Sequence, residues 1–138
     1  GRLEVVAQDL RVMLDGAHNP AAALTLAQSL KQVRNHGRLI LVMGVMADKD
    51  VDTILARLLP LAQMVIFTQP QYFRAATTRD LARRAQPYGL EILQTPRVAA
   101  AVQQAQSLAG PDDQIVVTGS LYTVGEAKEY LEGVSGKR

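Results

Sequence analysis

The sequence contains no cysteine and no tryptophan. The absence of cysteine excludes disulfide bonds and thiolate metal sites, and it is typical of a reducing compartment, so we expect a cytoplasmic protein. Aromatic residues make up only 4% of the chain, which is too few for the stacking platforms that single-stranded nucleic acids require. We therefore expect no nucleic-acid partner.

Long apolar runs and a strong net charge are also missing. No apolar run reaches the roughly 18 residues needed to span a bilayer, and the first residues, GRLE, lack the features of a signal peptide. The formal net charge is +2, from 15 basic and 13 acidic residues, without a basic tract. We expect no membrane partner. The composition, 48% hydrophobic and 20% charged, fits one globular domain with a core.

Apolar runs that are typical of strands alternate with amphipathic helical patterns along the chain. The runs RLILVMG (38–44), QMVIFT (63–68) and QIVVTGS (114–120) have the composition of buried parallel strands. Two shorter runs at 3–6 and 11–14 are predicted to pair as an antiparallel hairpin. Strand–helix alternation at this spacing predicts an α/β fold. We expect a Rossmann-like, mostly parallel sheet of about six strands, with helices on both faces and the hairpin as an antiparallel edge.

The segment DGAHNP, residues 15–20, lies where a predicted strand is followed by a helix. Asn19 suits the N-cap and Pro20 suits the first helical position, so helix initiation accounts for both. Asp15 and His18 are open to two interpretations, a turn or a ligand site. Ligands of open α/β sheets bind at the carboxyl ends of the strands, where a carboxylate suits the two hydroxyls of a ribose. No third ligand completes a metal site around Asp15 and His18, and we predict none.

A second junction, VVTGSLYTVGEA, follows the last predicted strand. Thr123 and Glu126 have the spacing of a capping box. Ser120 precedes this capping box and is not used by it. Its hydroxyl could hold a carboxylate at the same carboxyl end of the sheet. The chain has neither a Walker A sequence nor GxGxxG, so it lacks the usual phosphate cradle of ATPases and dinucleotide-binding folds.

Four segments carry a family resemblance: GRLE at 1–4, DGAHNP at 15–20, Gly44 followed by DKD at 48–50, and GSLYTV at 119–124. Together they resemble the C-terminal domain of folylpolyglutamate synthase, which is often bifunctional with dihydrofolate synthase and is related to the Mur ligases. DGAHNP is shared with the Mur ligases, whereas GSLYTV favours the folate branch. The resemblance assigns residues 1–133 to a Mur ligase-like C-terminal domain, and the sequence pattern predicts that 134–138 form a flexible tail.

The resemblance implies an ATP-dependent carboxylate–amine ligase that forms ADP and acts through an acyl phosphate. L-Glutamate would be added to folate or to dihydropteroate. By analogy, Arg2 would reach the γ-phosphate of ATP and Asp15 would bind its ribose hydroxyls. His18 would line the ATP and glutamate sides of the cleft, so Arg2 and His18 are the catalytic candidates. Ser120, His18 and Asn19 are the candidates for binding glutamate.

The resemblance also implies partners that this sequence does not contain. In the family, the P-loop domain and the ligands of Mg²⁺ lie upstream, so we expect an excised domain that is inactive alone and works with an N-terminal P-loop domain of the same protein. The family implies a monomer. Two alternatives stay open: a Mur-type ligase acting on a peptidoglycan precursor, and a non-catalytic nucleotide-sensing or docking module.

Overall fold

The computed structural model describes residues 3–33 and 37–136. Within these ranges the chain forms six strands and five α-helices. The strands are β1 (Glu4–Val6), β2 (Asp9–Leu14), β3 (Leu39–Met43), β4 (Met64–Phe67), β5 (Glu91–Gln94) and β6 (Gln114–Thr118). The helices are α1 (Pro20–Val33), α2 (Val51–Leu58), α3 (Thr78–Ala85), α4 (Val98–Leu108) and α5 (Leu121–Gly136). Single-turn 3-10 helices follow α2 at Leu59–Leu61 and α3 at Gln86–Tyr88.

The six strands form one sheet in the order β1-β2-β6-β3-β4-β5. β1 pairs with β2 in antiparallel orientation, and every other pairing is parallel. The predicted mostly parallel sheet with an antiparallel N-terminal edge is therefore confirmed. Because β6 lies between β2 and β3, the carboxyl ends of these three strands meet at one edge of the sheet.

The alternation of side chains along the central strands divides the core into two layers. On β3, Leu39, Leu41 and Met43 pack against α1, α2 and α3, whereas Ile40 and Val42 face α4 and α5. All five side chains are fully buried. Helices therefore cover both faces, as the continuous apolar runs in the sequence predicted.

Polar side chains cap three of the helices, as the sequence predicted for Asn19. Asn19, Asp50 and Thr77 cap α1, α2 and α3, and each side-chain oxygen accepts a hydrogen bond from the backbone N–H three residues later, at 2.8, 3.3 and 3.1 Å. Such a cap satisfies one of the N–H groups that the first helical turn leaves free. These caps fix where the loops at the carboxyl edge end and the helices begin.

One predicted boundary was wrong. β2 begins at Asp9 rather than Arg11, because Asp9 pairs with Val6 after a register shift and leaves only residues 7–8 as the turn. Its carboxylate also binds the Arg11 guanidinium, with a shortest distance of 2.8 Å. At the other end of the chain, α5 extends to Gly136, into the segment predicted to be a tail. Residues 137–138 lie outside the described ranges, and the flexibility of the tail stays a prediction.

Candidate functional site

A pocket of about 200 Å³ lies at the carboxyl edge of the sheet. This is the edge at which open α/β sheets bind ligands. Its walls come from the segments that follow β2, β3, β4 and β6. The lining residues are His18, Met46, Asp48, Lys49, Tyr72, Arg74, Ser120, Leu121 and Tyr122. The two junctions singled out in the sequence thus meet in one place.

Asp15 is the first residue after β2 and is only 5% exposed. Its backbone N–H donates to the Val117 carbonyl at 3.0 Å, which continues the pairing with β6. One carboxylate oxygen, Oδ1, accepts from the Ala17 N–H at 2.9 Å. Asp15 therefore shapes the turn, while its second oxygen receives no hydrogen bond from the described parts of the chain. The side chain lies beside the pocket rather than among the residues that line it.

His18 lines the pocket with a defined tautomer. Its Nδ1 lies 2.9 Å from the Gly16 carbonyl oxygen, and because a carbonyl can only accept, Nδ1 carries the proton. In the neutral ring, Nε2 is then a hydrogen-bond acceptor. Asn19, in contrast, is exposed, and its side chain caps α1. Arg2 lies outside the described residues.

Ser120, and not Thr123, caps α5. The Ser120 hydroxyl accepts from the Thr123 N–H at 3.0 Å, and the helix begins at Leu121. The predicted capping box at Thr123 and Glu126 was therefore wrong, because the Thr123 hydroxyl turns inward and donates to the Gly44 carbonyl at 2.9 Å. Glu126 instead accepts from the Gln71 backbone N–H at 2.7 Å. Ser120 is 1% exposed and Thr123 is completely buried.

Two glycines approach each other closely where β3 and β6 end. Gly119 has a φ of +110°, and a Cβ atom there would lie 2.5 Å from the Gly44 carbonyl oxygen. A Cβ atom on Gly44 would lie 2.6 Å from the Thr123 hydroxyl oxygen. A Cβ atom on Gly119 would clash with the backbone after β3, and one on Gly44 would clash with the start of α5, so both glycines are required by contact.

Two cationic side chains that the sequence analysis did not select also line the pocket. Lys49 lies in the loop after β3 and has no ion-pair partner within residues 3–33 and 37–136, whereas Arg74, after β4, pairs with Asp48 at 3.6 Å. An isolated bridge between Met46 and Ala75 holds their two loops together. In the sequence, Lys49 stood out only as part of the DKD segment that carries the family resemblance. Nothing in the sequence marked Arg74, because it reaches the pocket only through the pairing of the two loops.

Aromatic side chains form the outer rim. Tyr72 and Tyr122 stack with ring centroids 4.0 Å apart and an interplanar angle of 13°. Side-chain hydrogen bonding with Tyr72 raises the pKa of Tyr122 above its ordinary value. Phe73 is 84% exposed, and the Arg74 guanidinium lies 5.3 Å from its ring centroid. Half of the six aromatic residues in the chain thus lie beside one pocket.

A larger groove, of about 950 Å³, lies on the other side of Tyr72. It is bounded by the loop at 69–73, the start of α4 and one face of α5. Its charged lining consists of Arg97, Glu126 and Glu129. It contains neither His18 nor Ser120, so the smaller pocket is the better candidate for the chemistry despite its size.

The described residues do not offer a metal site. No group of three or more histidine, aspartate or glutamate side chains in residues 3–33 and 37–136 is arranged to hold a metal ion. No helix in the same ranges is both long and apolar enough to cross a membrane.

The sequence profile of the family described as "Mur ligase, glutamate ligase domain" matches residues 1–121. The chain belongs to this family. This glutamate ligase domain is 37% identical to the dihydrofolate synthase/folylpolyglutamate synthase of Mycobacterium tuberculosis over 143 aligned positions, covering 93% of the chain and 29% of the relative. The chain spans less than a third of the length of the curated relatives it matches.

Solved structures agree with this assignment. The domain matches Escherichia coli FolC in complex with DHPP and ADP with a TM-score of 0.89 and 30% identity, over 98% of this chain and 32% of that one. A bifunctional folylpolyglutamate synthase/dihydrofolate synthase with Mn, AMPPNP and L-glutamate bound matches with a TM-score of 0.82 and 32% identity, over 96% of this chain and 31% of that one. The fold is thus that of a FolC C-terminal domain.

Proposed function

We propose that this glutamate ligase domain is the C-terminal domain of an ATP-dependent ligase that adds L-glutamate to folate or dihydropteroate. The reaction would form ADP and proceed through an acyl phosphate that the glutamate amine attacks. The observation that carries the proposal is the chemistry of the pocket. The acceptor nitrogen of His18 after β2 and the hydroxyl of Ser120 after β6 meet cations from the loops after β3 and β4, a combination that fits an amino acid with two carboxylates.

Lys49 and Arg74 are the groups that we assign to the carboxylates of glutamate. A guanidinium can bind a carboxylate through two parallel hydrogen bonds, and a lysine ammonium adds a point charge. The weak 3.6 Å pairing of Arg74 with Asp48 leaves the guanidinium able to change partners. His18, which follows β2, has an acceptor Nε2 that can take the proton that the amine loses during attack. Asn19 is predicted to contribute to the same substrate site from the start of α1.

Asp15 and Arg2 are the groups that we assign to ATP. The second carboxylate oxygen of Asp15 is available for ribose hydroxyls, because Oδ1 alone holds the turn. Arg2 would offset the charge that develops on the γ-phosphate during transfer. Mg²⁺ would shield the phosphates, and in the family that the sequence resembles its ligands lie upstream of this domain. We therefore place those ligands in an N-terminal P-loop domain of the same, monomeric protein.

The proposal is tested by assaying the intact protein with MgATP, labelled glutamate and either folate or dihydropteroate. We expect substrate-dependent ADP release and label in the pteridine product. Transfer of an amino acid to a UDP-linked cell-wall precursor would instead identify a Mur-type ligase. ATP binding without any transfer would indicate a sensing or docking module.

The assignment of Arg74 has a matched control in Arg83. Both arginines are exposed and pair with an aspartate, but Arg83 lies on α3 with Asp80, away from the pocket. Arg74→Ala should raise the KM for glutamate about tenfold or more, because a charged hydrogen bond of roughly 2 kcal/mol is lost. Lys49→Ala should act in the same direction, and Arg83→Ala should change the KM little. Equal KM values in the two arginine variants would contradict the assignment.

A further inference from the structure

Tyr72, at the tip of the loop between β4 and α3, lies between two cavities of very different size. Among residues 3–33 and 37–136, it is the only one that lines both the pocket of about 200 Å³ and the groove of about 950 Å³. Sites for drug-sized ligands have volumes of roughly 300–1,000 Å³. The pocket is smaller than this range and suits a single amino acid, whereas the groove is near its upper end. The Tyr72 side chain therefore separates a space for a small ligand from a space for a much larger one.

Backbone hydrogen bonds hold the two ends of this loop. Before the tip, the Gln69 N–H donates to the Pro96 carbonyl at 2.9 Å, and after the tip the Ala76 N–H donates to the Val45 carbonyl at 2.8 Å. These bonds fix where the loop leaves and rejoins the edge of the sheet. Neither of them involves residues 70–73 at the tip, so the position of the tip depends on other contacts.

Two side chains of α5 provide such contacts. The Glu126 carboxylate accepts a hydrogen bond from the Gln71 backbone N–H at 2.7 Å, and the Tyr122 ring stacks on the Tyr72 ring with centroids 4.0 Å apart. Tyr122 and Glu126 are four residues apart, so they lie on the same face of the helix. A hydrogen bond to a carboxylate is stronger than one between neutral groups. One face of α5 thus holds both the ring of Tyr72 and the backbone beside it.

The sheet order indicates which end of a bound amino acid faces Tyr72. His18, to which we assign the amine, follows β2, whereas Tyr72 and Arg74 follow β4, and β6 and β3 lie between these two strands. Arg74, to which we assign a carboxylate, is only two residues from Tyr72 and lines the same pocket. An amino acid with its amine near His18 therefore directs the far end of its side chain toward Tyr72.

We propose that Tyr72 is a specificity-determining residue that limits the length of the amino acid in the pocket, and that Glu126 is a positioning residue that holds Tyr72 in place. The proposal rests on the proposed function for the identity of that amino acid as glutamate. A longer amino acid would meet the Tyr72 ring. Removal of the ring would join the pocket to the groove and give the longer side chain room.

The proposal is tested by letting L-glutamate compete with L-2-aminoadipate, which has one more methylene group in its side chain. Both amino acids are incubated in one mixture with the intact protein, MgATP and either folate or dihydropteroate. The ratio of the two products, measured by mass spectrometry, gives the ratio of the two kcat/KM values. This ratio does not depend on the fraction of enzyme that is folded. Wild-type protein should prefer glutamate about tenfold or more, because one methylene group commonly has an effect of that size.

Three variants separate the Tyr72 ring from its surroundings. Tyr72→Ala should lower the preference for glutamate about tenfold, toward equal use of the two amino acids. Tyr72→Phe keeps the ring and should keep the wild-type ratio. Phe73→Ala is the matched control, because the neighbouring Phe73 ring is exposed and lines only the groove. A wild-type ratio in Tyr72→Ala, or an equal loss of preference in Phe73→Ala, would overturn the proposal.

The positioning role of Glu126 has its own variants. Glu126→Ala should lower the preference for glutamate, but less than Tyr72→Ala does, because the ring stack remains. Glu126→Gln keeps an oxygen that can accept from the Gln71 N–H, so it should restore the wild-type ratio. Glu129→Ala should also keep that ratio, since Glu129 lines the same groove on the same helix but the Gln71 N–H donates to Glu126. A double variant, Tyr72→Ala with Glu126→Ala, should match Tyr72→Ala alone, because Glu126 acts through Tyr72.

The other outcomes distinguish the proposal from the proposed function. Equal use of both amino acids by wild-type protein would overturn the proposal and leave the glutamate ligase activity in place. A further loss of preference in the double variant, or a wild-type ratio in Glu126→Ala, would remove the positioning role of Glu126. Wild-type protein that adds neither amino acid to folate or dihydropteroate would overturn the proposed function and this proposal with it.

Discussion

Four glycines allow the contribution of backbone strain to be separated from that of steric contact. Gly119 combines a φ of +110° with a close contact, Gly44 has only the contact, and Gly89 has only a positive φ, of +73°. Gly125, within α5, has neither, because nothing lies within 4 Å of its added Cβ. Substituting alanine at each position therefore tests each effect with the same added methyl group.

The expected changes in unfolding free energy follow from these geometries. Gly119→Ala should lose roughly 2–6 kcal/mol, because a strained backbone costs about 1–3 and overpacking a further 1–3. Gly44→Ala should lose roughly 1–3 kcal/mol from overpacking alone. Gly89→Ala should lose at most about 1 kcal/mol, since reduced freedom of the unfolded chain offsets part of the strain. Gly125→Ala should gain roughly 0.5–1 kcal/mol, because alanine favours a helix.

Urea unfolding of the four variants, followed by circular dichroism, measures these differences. The order of stability should be Gly125→Ala, wild type, Gly89→Ala, Gly44→Ala and Gly119→Ala. If Gly119→Ala were as stable as Gly89→Ala, the crossing of β3 and β6 would not be as close as described. The close approach of Gly119 to the Gly44 carbonyl would then be refuted.

Three further predictions concern single side chains. Asp15→Asn keeps the Oδ1 acceptor of the turn. We therefore expect this change and His18→Ala to change the free energy of unfolding by only about 1 kcal/mol while lowering the ligase rate of the intact protein. Reduced stability with a normal rate per folded molecule would show that both are only turn residues. Hydrogen bonds from the Gly110 and Arg38 N–H groups hold the pKa of Asp113 at about 2, below the ordinary 3.8. Its contribution to stability is therefore present above about pH 4 and lost as the pH falls toward 2. Asp113→Asn should reduce the dependence of the urea midpoint on pH over that interval, and an unchanged dependence would contradict the prediction. Thr77→Ala should cost about 1 kcal/mol through loss of the α3 cap, with Thr77→Ser near wild type in the same urea assay.

The parts of the fold that could be predicted from the sequence are those set by local rules. Asn19 precedes a helical pattern with an oxygen three residues before a free N–H, and it caps α1 as expected. Within the apolar runs at 38–44 and 114–120, Leu39–Met43 and Gln114–Thr118 are buried at every position, which only the centre of a covered sheet requires. Because strand ends share one edge in such a sheet, the meeting of DGAHNP with Ser120 could also be anticipated.

The start of α5 could not be predicted in the same way. Ser120 and Thr123 both have side chains that favour the N-cap, and both are followed by helical sequence. The choice between them depends on the Gly44 carbonyl, 79 residues away from Thr123. Likewise, Lys49 and Arg74 reach the pocket only because the loops around Met46 and Ala75 pair. Contacts of this range leave no periodic signal in one sequence.

The position of β6 has a consequence for biosynthesis. This strand is the last to be made, yet it lies between β2 and β3. Until residues 114–118 leave the ribosome, the hairpin of β1 and β2 has no parallel neighbour, and β3 presents an unpaired edge. Such edges are prone to pair with other chains. A ribosome that stalls or terminates before β6 would therefore release a chain with the two halves of the pocket unjoined and two open edges ready to aggregate.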